Sequence, residues 1–183
     1  MTTSHFAHLA HLATYNEWMN RKLYAAAAAL PAERVHEDRG AFFGSIFGTL
    51  NHLVIADVIW LKRIAAGVPG GSGLTSLRCL DDVPRPASLD QRLCPDLPEL
   101  DALRAKLDAA ILAFSAEVTP AQLDGPLTWT SMKGVASTKR LGDVLLHVFN
   151  HQTHHRGQAT TLFSQLGVDV GPTDLLLLLP DVA

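Results

Sequence analysis

Apolar side chains recur at helical spacing in four long stretches of the chain, and that period leaves little room for anything but packed helices. The first stretch, Ser4 to Leu30, carries Phe6, Leu9, Ala13, Met19 and Leu23 near helical spacing, adds an alanine run of high helix propensity, and is stopped by Pro31. The second opens after Gly44 with Ser45 as its N-cap and carries Ile46, Phe47, Leu50, Val54, Leu61 and Ile64 before Gly67. The third begins near Pro98, a residue suited to a first helical turn, and shows Leu100, Leu103, Leu107, Ile111 and Phe114 as one stripe until Thr119 and Pro120. The fourth runs from about Thr138 to Leu166, with Gly167 as its stop, and would be ~40 Å long at ~1.5 Å per residue.

The segments between them read differently. From Gly67 to Pro98 the chain collects Gly70, Gly71, Gly73, Pro84, Pro86, Pro95 and Pro98, which predicts an irregular crossover of about 30 residues. A connection of that length signals a functional segment or a crossing over the end of a bundle. The run LTWTSMKGVAST, Leu127 to Thr138, sets β-branched residues around Lys133 and Gly134 and predicts a short irregular hairpin. The closing TDLLLLL predicts a short helix capped by Thr173. Four long helices and one long crossover predict an all-α four-helix bundle of non-sequential topology, with residues 1–183 as a single domain.

Composition narrows the function classes. Apolar residues make up 48% and charged residues 18%, enough to build a core and too little charge for a disordered chain. Lys and Arg total 15 against 18 Asp and Glu, for a net charge of -3, and no basic stripe offers to neutralise several phosphates, so nucleic acid is not an expected partner. The longest greasy runs, Leu23 to Leu30 and Leu175 to Leu179, fall far short of the ~20 residues that cross a bilayer, so no membrane span is expected. Met1 to Ala10 holds three polar residues and two histidines where a signal peptide places a basic patch and an apolar run. Cys79 and Cys94 are too far apart for a CxxC pair. A cytoplasmic protein with free thiols is the expectation.

The histidines carry the chemistry. Of nine in the chain, His147, His151, His154 and His155 lie within nine consecutive residues of the fourth stretch. Steps of about 40° keep His147, His151 and His155 on one helix face, with His154 about 60° to the other side of His151. Imidazoles four residues apart on a helix chelate one ion, because their Cβ atoms sit about 5–6 Å apart. Taken alone, such a pair more often decorates a solvated face. Here Leu145, Leu146, Val148 and Phe149 make the helix greasy nearly all round, so the histidines are expected to be buried and to need partners, an unsatisfied buried polar group costing ~1–3 kcal/mol. Facing helices supply the ligands of a bundle site, and His52, between Leu50 and Leu53 in the second stretch, is the natural third ligand; by itself it reads as a core histidine bonded to a carbonyl. Three histidines leave coordination positions open, as catalytic zinc sites do. Such a metal lowers the pKa of bound water to ~7 or takes up a thiolate.

Three elements, HVFNHQTHHRGQ at His147 to Gln158, NHLVIADVIWL at Asn51 to Leu61 and YNEWMNRKL at Tyr15 to Leu23, resemble the DinB family of DinB/YfiT-like metalloenzymes. The likeness spans nearly the whole chain, and TDLLLLL is similar to the family's tail. It implies a four-helix bundle of up-down-down-up topology, a homodimer, and one divalent metal, nickel or zinc, on three histidines. The first of those ligands falls on His52 and the HxxxH pair on His151 and His155. The position matching His154 stands beside the ligands, and His147, one turn earlier, is expected to line the pocket or support a ligand. Asn51, Asn150 or Gln158 is expected to accept a ring N–H. Asp57 and Arg156 either pair across the bundle or face water, Tyr15 and Trp18 share a face and line either the pocket mouth or ordinary core, and Asp143 reads as a cap.

Relatives of the fold imply a metal-dependent enzyme acting on a small-molecule substrate, either a transferase using a low-molecular-weight thiol or a hydrolase. No carboxylate at HExxH spacing chooses between them. A non-catalytic metal-binding stress-response protein is the alternative.

Overall fold

A computed structural model describes residues 3–69 and 74–181, with side chains from residue 8 onward. The chain is predominantly helical. Its four long helices are α1 (Thr3–Ala28), α3 (Ile46–Gly67), α4 (Leu97–Glu117) and α6 (Leu141–Gln165), close to the four periodic stretches. Two single-turn helices, α2 (Ala32–His36) and α5 (Pro120–Asp124), lie outside those stretches because five residues are too few to show a period.

Local chemistry sets the helix ends. The Ser45 hydroxyl accepts from the Gly48 N–H and starts α3. Asp96 does the same for α4 by accepting from the Glu99 N–H, which places Pro98 at the second helical position rather than the first. Thr119 and Pro120 end one helix and begin another, since Thr119 and Gln122 close a capping box on α5. Gly167, at φ 73°, lets the chain leave α6 in the left-handed region.

The predicted hairpin forms as β1 (Pro126–Thr130) and β2 (Ala136–Arg140), antiparallel, with Leu127 opposite Lys139 and Thr128 opposite Thr138. This corrects the start of the fourth helix. Thr138 to Arg140 pair with β1, so α6 opens only at Leu141. The tail is a correction too: Leu175–Leu178 is one 3-10 turn preceded by Asp174, without a side-chain cap, and Thr173 instead offers its carbonyl to the Tyr15 hydroxyl at 2.7 Å.

α1 packs against α4 and α6, and α3 against α6 and α4, around a core that includes Leu23, Leu50, Val54, Leu107, Phe114 and Phe163. α3 lies deepest, buried on nearly every side. α6 is not: Leu146 is 65% exposed and His147 faces solvent, so the expectation of a helix greasy all round holds for only part of its circumference. The crossover is only partly irregular. A 3-10 helix, Thr75–Leu80, buries Leu77 and Leu80 against α3 and α4, and Glu117 at the end of α4 accepts from the Thr75 and Ser76 N–H groups. Gly70, Gly71 and Gly73 of the predicted crossover, and the Phe6 side chain of the first stripe, lie outside the described residues.

Candidate metal centre

α3 brings His52 to the interface with α6, and the crossover orients it. The His52 Nδ1 lies 3.0 Å from the Leu89 carbonyl, which can only accept, so Nδ1 carries the proton and Nε2 keeps its lone pair. The neighbouring Asn51 holds that part of the crossover in place, donating to the Gln91 carbonyl at 2.9 Å and accepting from the Leu93 N–H. On the other side, the Phe43 ring stacks on His52 at 3.8 Å between centroids and meets His155 edge-on at 5.5 Å.

α6 supplies the other two rings. His151 is half-buried and His155 buried, one turn apart, with ring centroids 4.3 Å from each other. The His155 Nδ1 donates to Gln158 Oε1 at 2.7 Å, again leaving Nε2 free, and the Gln158 amide nitrogen turns to His154 at 3.3 Å. One donor atom from each of His52, His151 and His155 lies within 4.8 Å of the others.

The donor set fits a divalent ion. His52 Nε2 and His151 Nε2 are 3.3 Å apart, and two imidazole nitrogens on one tetrahedral ion, with bonds of ~2.0–2.1 Å, stand about 3.4 Å apart. Two of the three rings have their tautomer fixed by an oxygen acceptor behind them, the arrangement that orients ligating histidines in metal sites. Protonation is disfavoured throughout. Burial, then the neighbouring His155, His52, His147 and His154, push His151 down to about 3. Burial also lowers His52 and His155, against the opposing pull of the Leu89 carbonyl on one and Gln158 on the other. Neutral imidazoles, two of them with an Nε2 lone pair left free, are what a cation needs.

The remaining predicted residues divide. His147 extends the ladder, its ring 5.9 Å from His151 and 5.3 Å from Trp60, and His154 lies 4.8 Å from His155 while facing solvent. Of the three residues expected to support a ring N–H, Gln158 does, Asn51 acts through the crossover backbone, and Asn150 is exposed. Asp57 and Arg156 are both buried, so neither faces water, and each has other partners: Asp57 pairs with Arg104 at 2.7 Å and accepts from Gln152, while Arg156 donates to Asn16. Tyr15 and Trp18 contact each other at 6.1 Å, and Tyr15 serves the C-terminal segment; among the described ring contacts neither touches the three histidines. Asp143 binds Arg140 instead of capping α6.

Sequence reasoning missed Phe43, Leu89 and Arg104. Phe43 and Leu89 act through loops whose path no period announces, and Arg104 interrupts the α4 stripe in a way that signals burial only once Asp57 stands opposite.

No solved structure matches the chain. It is 27% identical over 160 residues to Protein DinB of Bacillus subtilis (strain 168), an alignment covering 87% of each chain. A sequence model of the DinB family matches residues 1–180, a span that takes in α3, the crossover and α6, and with them every side chain of the three-histidine cluster, so the chain belongs to the DinB family.

Proposed function

We propose that the chain is a metal-dependent enzyme that holds one divalent ion, nickel or zinc, on His52, His151 and His155 and transfers a low-molecular-weight thiol to a small electrophilic substrate. What carries this reading is the convergence of three neutral imidazoles within 4.8 Å, with the acceptor behind two of them already in place. When bound, the ion supplies Lewis acidity at the positions that three nitrogens leave free.

The rest falls to the chain's own groups. Leu89 and Gln158 hold the His52 and His155 rings to one tautomer, and Phe43 covers the face of His52 and keeps water from it. No carboxylate belongs to the cluster among the described residues. Thiol transfer does not require one: a thiol, with a pKa of ~8.5, lies close enough to neutrality to hand its proton to a neutral imidazole. His147 and His154, the exposed imidazoles flanking the cluster, are the groups placed to take that proton.

The same reading takes the four long helices as an up-down-down-up bundle, supported by the packing of α1 on α4 and α6 and of α3 on both. It places the protein in the cytoplasm as a homodimer without nucleic-acid partners; both thiols are free, and no described helix is long and apolar enough to cross a membrane.

Elemental analysis of the purified protein tests the site: about one nickel or zinc per chain is expected, and loss of it in His52→Ala and His155→Ala. Thiol consumption in the presence of a chlorinated aromatic tests the reaction. Metal-replete protein that consumes none of the common cellular thiols would replace the enzyme with a non-catalytic metal-binding stress-response protein; ester cleavage without thiol would replace the transferase with a hydrolase.

A further inference from the structure

Beyond His147 the aromatic wall continues and ends on a cation, Arg63. Trp60 of α3 meets His147 at 5.3 Å and Trp129 of β1 at 5.4 Å, both edge-on. The Arg63 guanidinium lies over the Trp60 ring at 4.7 Å, and its Nε is buried without a hydrogen-bond partner. Burial lowers the Arg63 pKa, and the charge of Arg85, in the crossover, adds to that effect. Among the described residues neither arginine makes an ion pair, whereas Arg21, Arg34, Arg39, Arg104 and Arg140 each meet a carboxylate.

A guanidinium partly withdrawn from water, with one N–H left unpartnered and no described carboxylate beside it, is stabilised by an anion, and the charge of Arg85 strengthens that preference. The guanidinium fork matches a carboxylate or phosphate in two parallel hydrogen bonds. The half-buried indoles of Trp60 and Trp129 offer an apolar wall between Arg63 and the histidines. From His52 to Arg63 is eleven residues of α3, about 16 Å of helix.

We propose that the reactant used at the three-histidine centre is an extended organic anion, its carboxylate or phosphate docked on Arg63 and Arg85, its body along Trp60 and His147, and its reacting end at the histidines. The assignment of the reacting end rests on the proposed metal centre; the anion dock does not.

The test is a fluorescence titration of Trp18→Phe protein, in which Trp60 and Trp129 are the remaining indoles, metal-free and with one equivalent of zinc. The probes are 4-phenylbutanoate, phenyl phosphate and the neutral 4-phenylbutan-1-ol. Saturable changes with at least one anion are expected, with affinity at least tenfold weaker for the alcohol, at least tenfold weaker in Arg63→Gln, partly restored in Arg63→Lys, and severalfold weaker in Arg85→Gln. The stronger of the two anions identifies the group as carboxylate or phosphate. Unchanged affinity in both glutamine variants, equal binding of the alcohol, or no saturable change with either anion overturns the proposal. If Arg63→Gln loses its helical signal, the exposed Arg85 decides. Arginine-dependent binding that persists while zinc fails to bind would remove the metal centre and keep the dock; normal zinc binding without arginine dependence would do the reverse.

Discussion

A ring nitrogen that donates to a carbonyl has surrendered its lone pair, so the bond from His52 to Leu89 decides which nitrogen of that histidine faces α6. Gln158 makes the same decision for His155. Removing such an acceptor usually costs a metal site about 10–100-fold in affinity, and Gln158→Ala is expected to weaken zinc binding by that factor in competition with a chelator while helical content stays the same. Unchanged affinity would mean that the ring is held by packing alone. The depressed histidines also set a pH dependence. In the unfolded chain these imidazoles take up protons near pH 6.5, whereas in the folded protein His151 does so only at about 3. The unfolded state therefore binds more protons between those values, and the stability of the metal-free protein falls as pH drops from about 6.5 towards 3. Urea unfolding at pH 7.5, 6 and 5 checks it, before Glu117, held down to about 2 chiefly by its bonds to Ser76 and Thr75, begins to contribute below its ordinary 4.5. A flat profile over that range would contradict the burial of these rings.

Gly48 shows how closely the elements around the site are fitted. A Cβ there would stand 2.0 Å from the Phe43 carbonyl oxygen, a backbone atom that can only move with its loop. The missing side chain lets the loop after α2 lie against the first turn of α3 and carry Phe43 onto His52. Gly48→Ala is expected to cost ~1–3 kcal/mol by overpacking and to loosen Phe43, read as lower melting temperature together with weaker zinc binding; a fully tolerated alanine would show that the loop is not tied down. Much at this scale was legible beforehand. Ser45, Pro31, Gly67 and Gly167 each mark a helix end by a local rule, and the HxxxH pair fixes a face by spacing alone. Short-range chemistry did not reveal α2, the strand pairing of Thr138 to Arg140, or the turn of the crossover that puts the Leu89 carbonyl behind His52, since each depends on what packs against it.

One buried polar network ties the four long helices together. Asp57 of α3 pairs with Arg104 of α4, and Arg104 Nη2 lies 3.0 Å from Asp108 in a second ion pair. Asn16 and Asn20 of α1 donate to Asp108, and Gln152 and Arg156 of α6 close the circuit onto Asp57 and Asn16. Burial works against the Arg104 charge, but Asp108 and Asp57 outweigh it and raise its pKa. Removing one member leaves an uncompensated buried charge, at a typical cost of ~3–5 kcal/mol. Asp57→Ala is expected to lose that much in urea unfolding, and a loss under about 1 kcal/mol would show that water reaches the network. Because Gln152 and Arg156 alternate with His151 and His155 along α6, the same network fixes the helix rotation that aims the two histidines at His52. The most direct test of that convergence is X-ray absorption at the zinc edge on protein carrying one equivalent of the metal. Three imidazole nitrogens at about 2.0–2.1 Å are expected, falling to two in His52→Ala; a shell containing sulfur, or one with fewer than three imidazoles in the unaltered protein, would contradict it.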